Sequence, residues 1–590
     1  MPMHAHAVRT RPAAIGGRSP HPIQWAARWT RHGIMLAVVI GGLDATPARS
    51  ATTPSRHRWT GSISLHSSYL DSNRPLGFGA GGPVSYSSNS RLSLALGRTQ
   101  LSASLNRPSF STRSSEPDRY FTLEISNPRF VARYGDLSPQ FTSNTAGSTR
   151  VFGGELRLRF VRWIEFSTVS GISQRATESQ GYMLGGFRQD FRGHRMSVRP
   201  GSSLAFGLTA ARLRDDGGSA AFYTGPGQPR AQENLLLGSD ASLWFLKRQG
   251  SLSLEYVGSV FTGDRSAGRS GARMTAADGS ARGLALRSGA LGWTRLNDST
   301  QAGELFGARL VLPLAASRVT LEYRRTSPLF RSLALPYEPA DGERIRVQDY
   351  TRLLRGALVW SLTADLLRTN VSRNGPVHGR TLNLHTTFAL DQGKSARWNV
   401  SWRQNGREND ALPPAGRLWD PRINSISRGL SIARTQPVRF RAIPGTVTQT
   451  LAQNEYFDRV RPGSTYQTYS AQIEAQTQAS SRLLWTSRVL YSETDRPVSG
   501  VTRNASDVYL KHGLRQGAIE FYLSEGLSMA LASDGREKRT TISWGAGGRW
   551  SPRAGSTIEL EWQSTDLRDA VSPTMSNVRR ALEVRMNRGL

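Results

Sequence analysis

Asp240 and Glu255 stand on either side of the tight turn Lys247-Arg248-Gln249, with Trp244 and Tyr256 close by in sequence. On two adjacent strands these carboxylates share one face, and Trp244 and Tyr256 are expected on the other. They belong to a larger set of charged residues at alternating positions: Arg157, Arg159, Glu322, Arg324, Arg397, Arg403, Arg549, Glu559 and Glu561. Two kinds of chemistry fit such a set. Rings of arginine along a wet passage bias ion movement electrostatically, here toward anions. Alternatively, charges of both signs facing one another across strands form ion-pair ladders that stiffen a wall and select nothing.

Catalytic arrangements are absent from the sequence. There is no G-x-S-x-G nucleophile elbow, no H-E-x-x-H, no phosphate-binding loop and no pair of histidines at metal spacing. Four of the ten histidines precede residue 50, and His57, His66, His194, His378, His385 and His512 are scattered singly. The chain has no cysteine, which removes disulfides, thiolate metal sites and thiol catalysis. The expectation is a non-enzyme without metal or cofactor. The remaining enzymatic alternative is a hydrolase whose active residues sit on a barrel wall without a linear motif.

The elements that carry these charges follow a period of two. Trp398, Val400 and Trp402 alternate with Arg397, Asn399, Ser401 and Arg403, and Ile558, Leu560 and Trp562 alternate with Glu559, Glu561 and Gln563. Successive side chains on a strand point to opposite faces, so each stretch is a ribbon with one apolar and one polar side. The pattern persists from about residue 58 to the end, and no segment after residue 50 shows a helical period over three turns. The strands read as about 9–12 residues, longer than the 5–6 typical of soluble sheets and close to what a tilted membrane strand needs. Aromatic residues recur near strand ends (Trp59, Tyr69, Trp163, Trp244, Trp293, Trp360, Trp550), as in an interfacial girdle.

The N-terminus adds an export signature. Residues 1–32 are basic, the apolar run Gly33–Leu43 is too short to span a bilayer as a helix, and Ala48 and Ser50 suit cleavage before Ala51. The expected organisation is a signal peptide over 1–50 and an all-β chain over 51–590. That chain reads as one large antiparallel up-and-down transmembrane β-barrel of about 26 strands (24–28) in the outer membrane of a Gram-negative cell. Short turns are expected at Asn127-Pro128, Val161-Arg162 and Lys247–Gln249. Long polar stretches near 70–90, 107–118, 137–149, 215–231, 263–281 and 405–437 are expected as external loops. The short/long alternation breaks between 313 and 350, which means either a miscounted strand or a loop that folds inward.

The formal net charge of +32 on 590 residues, with only four lysines, raises nucleic-acid binding. Nucleic-acid footprints are clustered patches, whereas these arginines are spread through every segment, so no nucleic-acid partner is expected. Anionic outer-membrane lipid is the better use for exposed arginine.

The chain resembles the Gram-negative outer-membrane β-barrel proteins over residues 58–590. Two segments narrow the resemblance to a set of large uncharacterised barrels, porin-like or translocon-barrel-like. Tyr134 through Phe141 is similar to a G-D-x-S-P-x-F segment, carried by Gly135, Asp136, Pro139 and Phe141. Tyr323 through Asp341 is similar to a second recurrent segment, carried by Pro328, Phe330, Pro336, Tyr337 and Asp341. The first strand begins too early for the plug domain of TonB-dependent receptors or for periplasmic repeats of barrel-assembly proteins. The last strand (Leu582, Val584, Met586) ends in Leu590 where a terminal assembly signal usually ends in Phe. The resemblance implies a porin-like conduit or the wall of an export or assembly complex with periplasmic or surface protein partners. A non-conducting scaffold barrel with a filled lumen is the alternative.

Overall fold

The computed structural model describes residues 57–590 except 73–83, 97, 108–119, 140, 143, 147–148, 177–185, 220–228, 269–274, 277–278, 374, 376, 412–420, 441–442, 479–482, 498, 554–555, 572–576 and 590. The segment expected as a signal peptide, residues 1–50, lies outside the described residues.

Arg56–Leu590 form one compact unit. Among the described residues it has 27 strands, numbered β1–β27 in chain order from β1 (His57–Ser72) to β27 (Asn577–Gly589). One of them, β12 (Thr275–Ala276), is a two-residue parallel bridge to β13 (Thr300–Leu314). Each of the other 26 pairs antiparallel with its sequence neighbours, β11 (Gly250–Thr262) skipping β12 to reach β13. The last strand then returns to the first: Leu65 opposes Met586 and Ser62 opposes Gly589. A sheet closed in this way has no free edge, which is what a β-structure needs where water cannot satisfy backbone groups. The fold is therefore an up-and-down barrel of 26 strands, as expected.

Two faces separate cleanly. Outward positions carry large exposed apolar side chains, for example Leu208, Leu254, Phe306, Leu451, Phe521 and Trp544. Inward positions carry the charged and hydroxyl residues, as strand parity requires. Tyr256 points outward, but Trp244 shares the parity of Asp240, four residues earlier on β10 (Glu233–Phe245), and so faces the lumen instead of the lipid.

The irregular region between 313 and 350 contains no missing strand. A two-residue turn follows β13, then β14 (Ser317–Thr326), a long connection 327–341, and β15 (Gly342–Leu353). That connection folds into the barrel. Phe330 and Ala334 are buried against Leu236, Val257 and Leu305 on the inward face. A second connection, 138–150 between β5 (Phe130–Leu137) and β6 (Val151–Val161), also folds inward and brings Ala146 and Phe141 to the same apolar cluster. Glycines make room for both. A Cβ at Gly303 would overlap the backbone of Phe330, and one at Gly193 would overlap the ring of Phe141.

The expectation of no helix is corrected: α1 (Gly279–Ala290) lies in the connection after β11, which extends to residue 299. Ala281 and Ala285 of α1 are buried against Leu235, Val260 and Ala302. These wall residues alternate with Leu236, Val257 and Ser259 and so face outward. At the end of β10–β13 that carries the long connections the wall is thus three layers deep: α1 outside, the sheet, and the connection 327–341 inside. The polar stretch expected as a loop over 405–437 is mostly strand, since β18 (Arg397–Asn409) and β19 (Asn424–Phe440) occupy its ends.

Candidate functional site

The lumen wall is built from inward charges whose partners lie on the same strand, one or two strands away, or on an inward segment. On the first third of the barrel a ladder runs Glu124–Arg133 (2.6 Å), Arg133–Glu155 (3.4 Å), Arg157–Glu155 (3.0 Å), Arg157–Glu165 (3.7 Å) and Arg159–Glu165 (3.2 Å). The register explains it: Arg133 opposes Glu155, and Arg159 opposes Glu165. Asp240 receives both terminal nitrogens of Arg195, at 2.7 and 3.0 Å, and Arg195 also donates to Thr209 at 2.9 Å. A bidentate pair of this kind fixes the orientation of both groups.

Glu255 opposes Asp240 directly. It accepts a 2.8 Å hydrogen bond from Asn144 of the inward segment 138–150. Across Gly307 from Glu255 stands Arg324, and Arg324 pairs with Glu338 of the other inward segment at 2.9 Å. Burial raises the Glu338 carboxyl above its ordinary range, opposed by the charges of Arg324 and Arg344. A second ladder continues from there: Arg309–Glu322 (3.1 Å), Arg346–Glu322 (3.7 Å), and Asp365 held by Arg346 (3.0 Å) and Arg344 (2.5 Å).

The remaining residues singled out in the sequence lie elsewhere on the circumference. Arg397 pairs with Asp391 (3.0 Å) at the end of the wall opposite the inward segments. Arg403 donates to Asn454 (2.9 Å) over Gly429. Arg549 pairs with Glu559 (3.4 Å), which also faces Arg585 (3.8 Å), while Glu561 accepts from Gln563 (2.6 Å). The set is a distributed lining and does not converge on a point. Among the described residues no group of three or more His, Asp or Glu side chains stands at metal-binding distance.

The two motif segments do converge. Gly135 has φ of +119° and a Cβ there would overlap the carbonyl of Phe121, so the bend needs glycine. Asp136 accepts from the backbone N–H of Phe121 at 2.8 Å and so fixes the strand end that launches the inward segment. Pro139 is buried, and the ring of Phe141 stacks on that of Phe191 at 6.2 Å. In the second segment Pro328 leads into Phe330, which is fully buried. Asn234 accepts from the N–H of Leu333 at 3.1 Å, and Ser259 donates to the carbonyl of Arg331. Asp341 closes the segment by accepting from Ser372 N–H and hydroxyl at 3.0 and 2.5 Å. Pro336 and Tyr337 are exposed, Tyr337 at 97%, and belong to no packed site.

Glu124, Arg133, Glu155, Glu165, Arg195, Arg309, Arg344, Arg346 and Asp365 also belong to the lining and were not singled out from the sequence. Arg344 and Arg346 alternate with Ile345 and Val347, the same period-two signal that marked Arg324.

No protein-family profile and no curated protein matches the chain. Among solved structures it is similar to the P pilus usher (PapC) translocation pore, at 11% identity and a TM-score of 0.39 over 90% of this chain and 99% of that one. It is also similar to OprD from Pseudomonas aeruginosa, at 11% identity and a TM-score of 0.31, covering 60% of this chain and 88% of that one. A third similarity is to an E. coli P pilus tip assembly intermediate, PapC-PapD-PapK-PapG, at 12% identity and a TM-score of 0.42 over 91% and 62%. In its own right the chain has a closed even-stranded sheet, an apolar outer band and a polar interior, the features of a membrane-spanning β-barrel.

Proposed function

We propose that this barrel is a passive outer-membrane conduit whose cross-section is set by the two inward segments, with a preference for small anionic solutes. The observation that carries this is the asymmetry of the interior. The segments 138–150 and 327–341 pack on one sector of the wall, from β5 to β15. From β16 (Leu358–Thr369) to β27 the inward positions are polar, and among the described residues no connection packs across them. A polar wall without a covering layer is a water-lined passage. The sign is inferred from the chain as a whole and not from the ladders, which pair arginine with carboxylate: the chain carries a large excess of arginine over acid, and field lines concentrate in a polar passage with low-dielectric walls.

Planar-bilayer recording of the purified barrel tests this. Discrete conductance steps are expected, with a reversal potential in a salt gradient displaced toward the anion equilibrium potential. A silent barrel that co-purifies with stoichiometric protein partners would replace this reading with the wall of an export or assembly complex.

A further inference from the structure

The outward face of β10–β13 changes character along its length. Leu208, Leu254, Tyr256 and Phe306 are exposed and outward on neighbouring strands, and they border a shallow apolar groove floored by Ser239 and Ala241. This is the lipid-facing band. Tyr256 and Phe306 oppose one another directly, and Phe306 lies 6.3 Å from the ring of Tyr323, an aromatic row of the kind that marks a membrane–water interface. One and two outward positions further along the strands, at Gly258, Val260 and Ala302, the band stops being exposed because α1 covers it. A Cβ at Gly258 would overlap the Leu284 side chain of the helix.

α1 therefore sits at the external edge of the lipid band, on the lipid side of the wall. Its inner side is used up by Ala281, Ala285 and Ser288, which are buried. Its outer side and the segment after it expose Leu286 (51%), Leu291 (63%) and Trp293 (46%), interleaved with exposed Arg282, Arg287 and Arg295. Two acidic residues stand at this rim, Asp298 and Glu304, and Glu304 already accepts a hydrogen bond from the Tyr256 hydroxyl. The connection is fixed in place from behind. Asp264 accepts from Ser266 N–H and hydroxyl at 2.8 and 2.5 Å, and its carbonyl accepts from Asn297 at 2.7 Å. The Ser266 hydroxyl holds the Asp264 carboxyl below its ordinary value of 3.8, with Arg230 adding to the effect and burial opposing it.

We propose that α1 and residues 291–295 form an interfacial lipid-binding collar. Leu286, Leu291 and Trp293 enter the outer leaflet, and Arg282, Arg287 and Arg295 contact the phosphates of anionic lipid headgroups. The occupant follows from continuity and charge. The patch adjoins the lipid-exposed band on the same side of the wall, and its mixture of leucine, tryptophan and arginine is that of a surface helix lying in a headgroup layer. Phosphate is the anion such a layer offers to three exposed guanidinium groups.

The chain has no cysteine, so a spin label at Leu286→Cys reports this position alone. In proteoliposomes of phosphatidylcholine and phosphatidylglycerol, the label is expected to be accessible to oxygen and shielded from a water-soluble nickel chelate. A label at Ser499→Cys, on an exposed turn, is expected to show the reverse. Native mass spectrometry supplies the second measurement. The Arg282→Gln, Arg287→Gln, Arg295→Gln variant is expected to lose its preference for retained phosphatidylglycerol over phosphatidylcholine by roughly fivefold per arginine. A label at 286 as open to the nickel chelate as that at 499 would overturn the collar. An unchanged lipid preference in the triple variant would overturn the headgroup contact.

Discussion

Glu525 is a carboxylate on the wrong side of the wall. It lies at the middle of β24 (Ile519–Ala532), at outward parity between Leu523 and Leu527, with Phe521 and Ile519 beyond on one side and Met529 and Leu531 on the other. Its cross-strand neighbours are Leu510 and the exposed Trp544. A charged group on the lipid face of a barrel is destabilising in proportion to its depth, less for acids than for basic residues. Glu525→Leu is therefore expected to raise stability by about 1 kcal/mol, read as a higher urea midpoint with an unchanged slope in lipid vesicles. A lower midpoint would mean that the carboxylate has a partner in the membrane. At this scale the sequence was readable by parity alone: Glu525 alternates with Ser524 and Gly526 as openly as Arg324 alternates with Tyr323 and Arg325. What parity cannot supply is the partner. Arg195 and Asp240 meet because three strands align in one register, and that alignment is not written in either residue's neighbourhood.

The connections behave differently from the strands. Strands announce themselves because alternation repeats over ten or more residues, whereas an inward segment depends on a few contacts made at long range. The segment 327–341 is held by the burial of Phe330, the Asn234 and Ser259 hydrogen bonds and the Arg324–Glu338 pair, none of which has a local signature. The break in turn alternation between 313 and 350 did mark its place. Helix α1 was missed for a related reason: its buried positions are alanine and serine, so no apolar stripe repeats at helical spacing. The seat of the inward segment is backbone against backbone at Gly303. Gly303→Val is therefore expected to displace the segment while leaving the barrel closed, since strand pairing at that position is otherwise tolerant of valine. Larger single-channel conductance steps than wild type would show it. Steps of unchanged size, with the variant folded by gel mobility, would mean that the segment does not set the cross-section.

Over the whole molecule, length and charge acquire one explanation each. The chain is long because 26 strands must each cross the membrane and the sheet must end where it began, at β1 against β27. Closure is the one property that alternation could not show, since an open sheet and a barrel have the same period. The charge spreads because every strand has an inward face to furnish, which is why no basic patch formed in the sequence. Closure also has a direct consequence. Leu65 and Met586 are separated by almost the full described length yet are paired across the seam. Directly opposed residues of an antiparallel pair have Cβ atoms about 4.5–5.5 Å apart, close enough for a bridge with small backbone adjustment. In this cysteine-free chain, the Leu65→Cys, Met586→Cys double variant is expected to cross-link on mild oxidation in vesicles. The product, a near-circular chain, would migrate faster than the reduced chain on a denaturing gel. The pair Leu65→Cys, Leu560→Cys places its second cysteine one strand further on, across β27, and is expected to stay open. Equal cross-linking by both pairs, or by neither, would mean that β1 and β27 do not form the seam and that the barrel closes through some other edge.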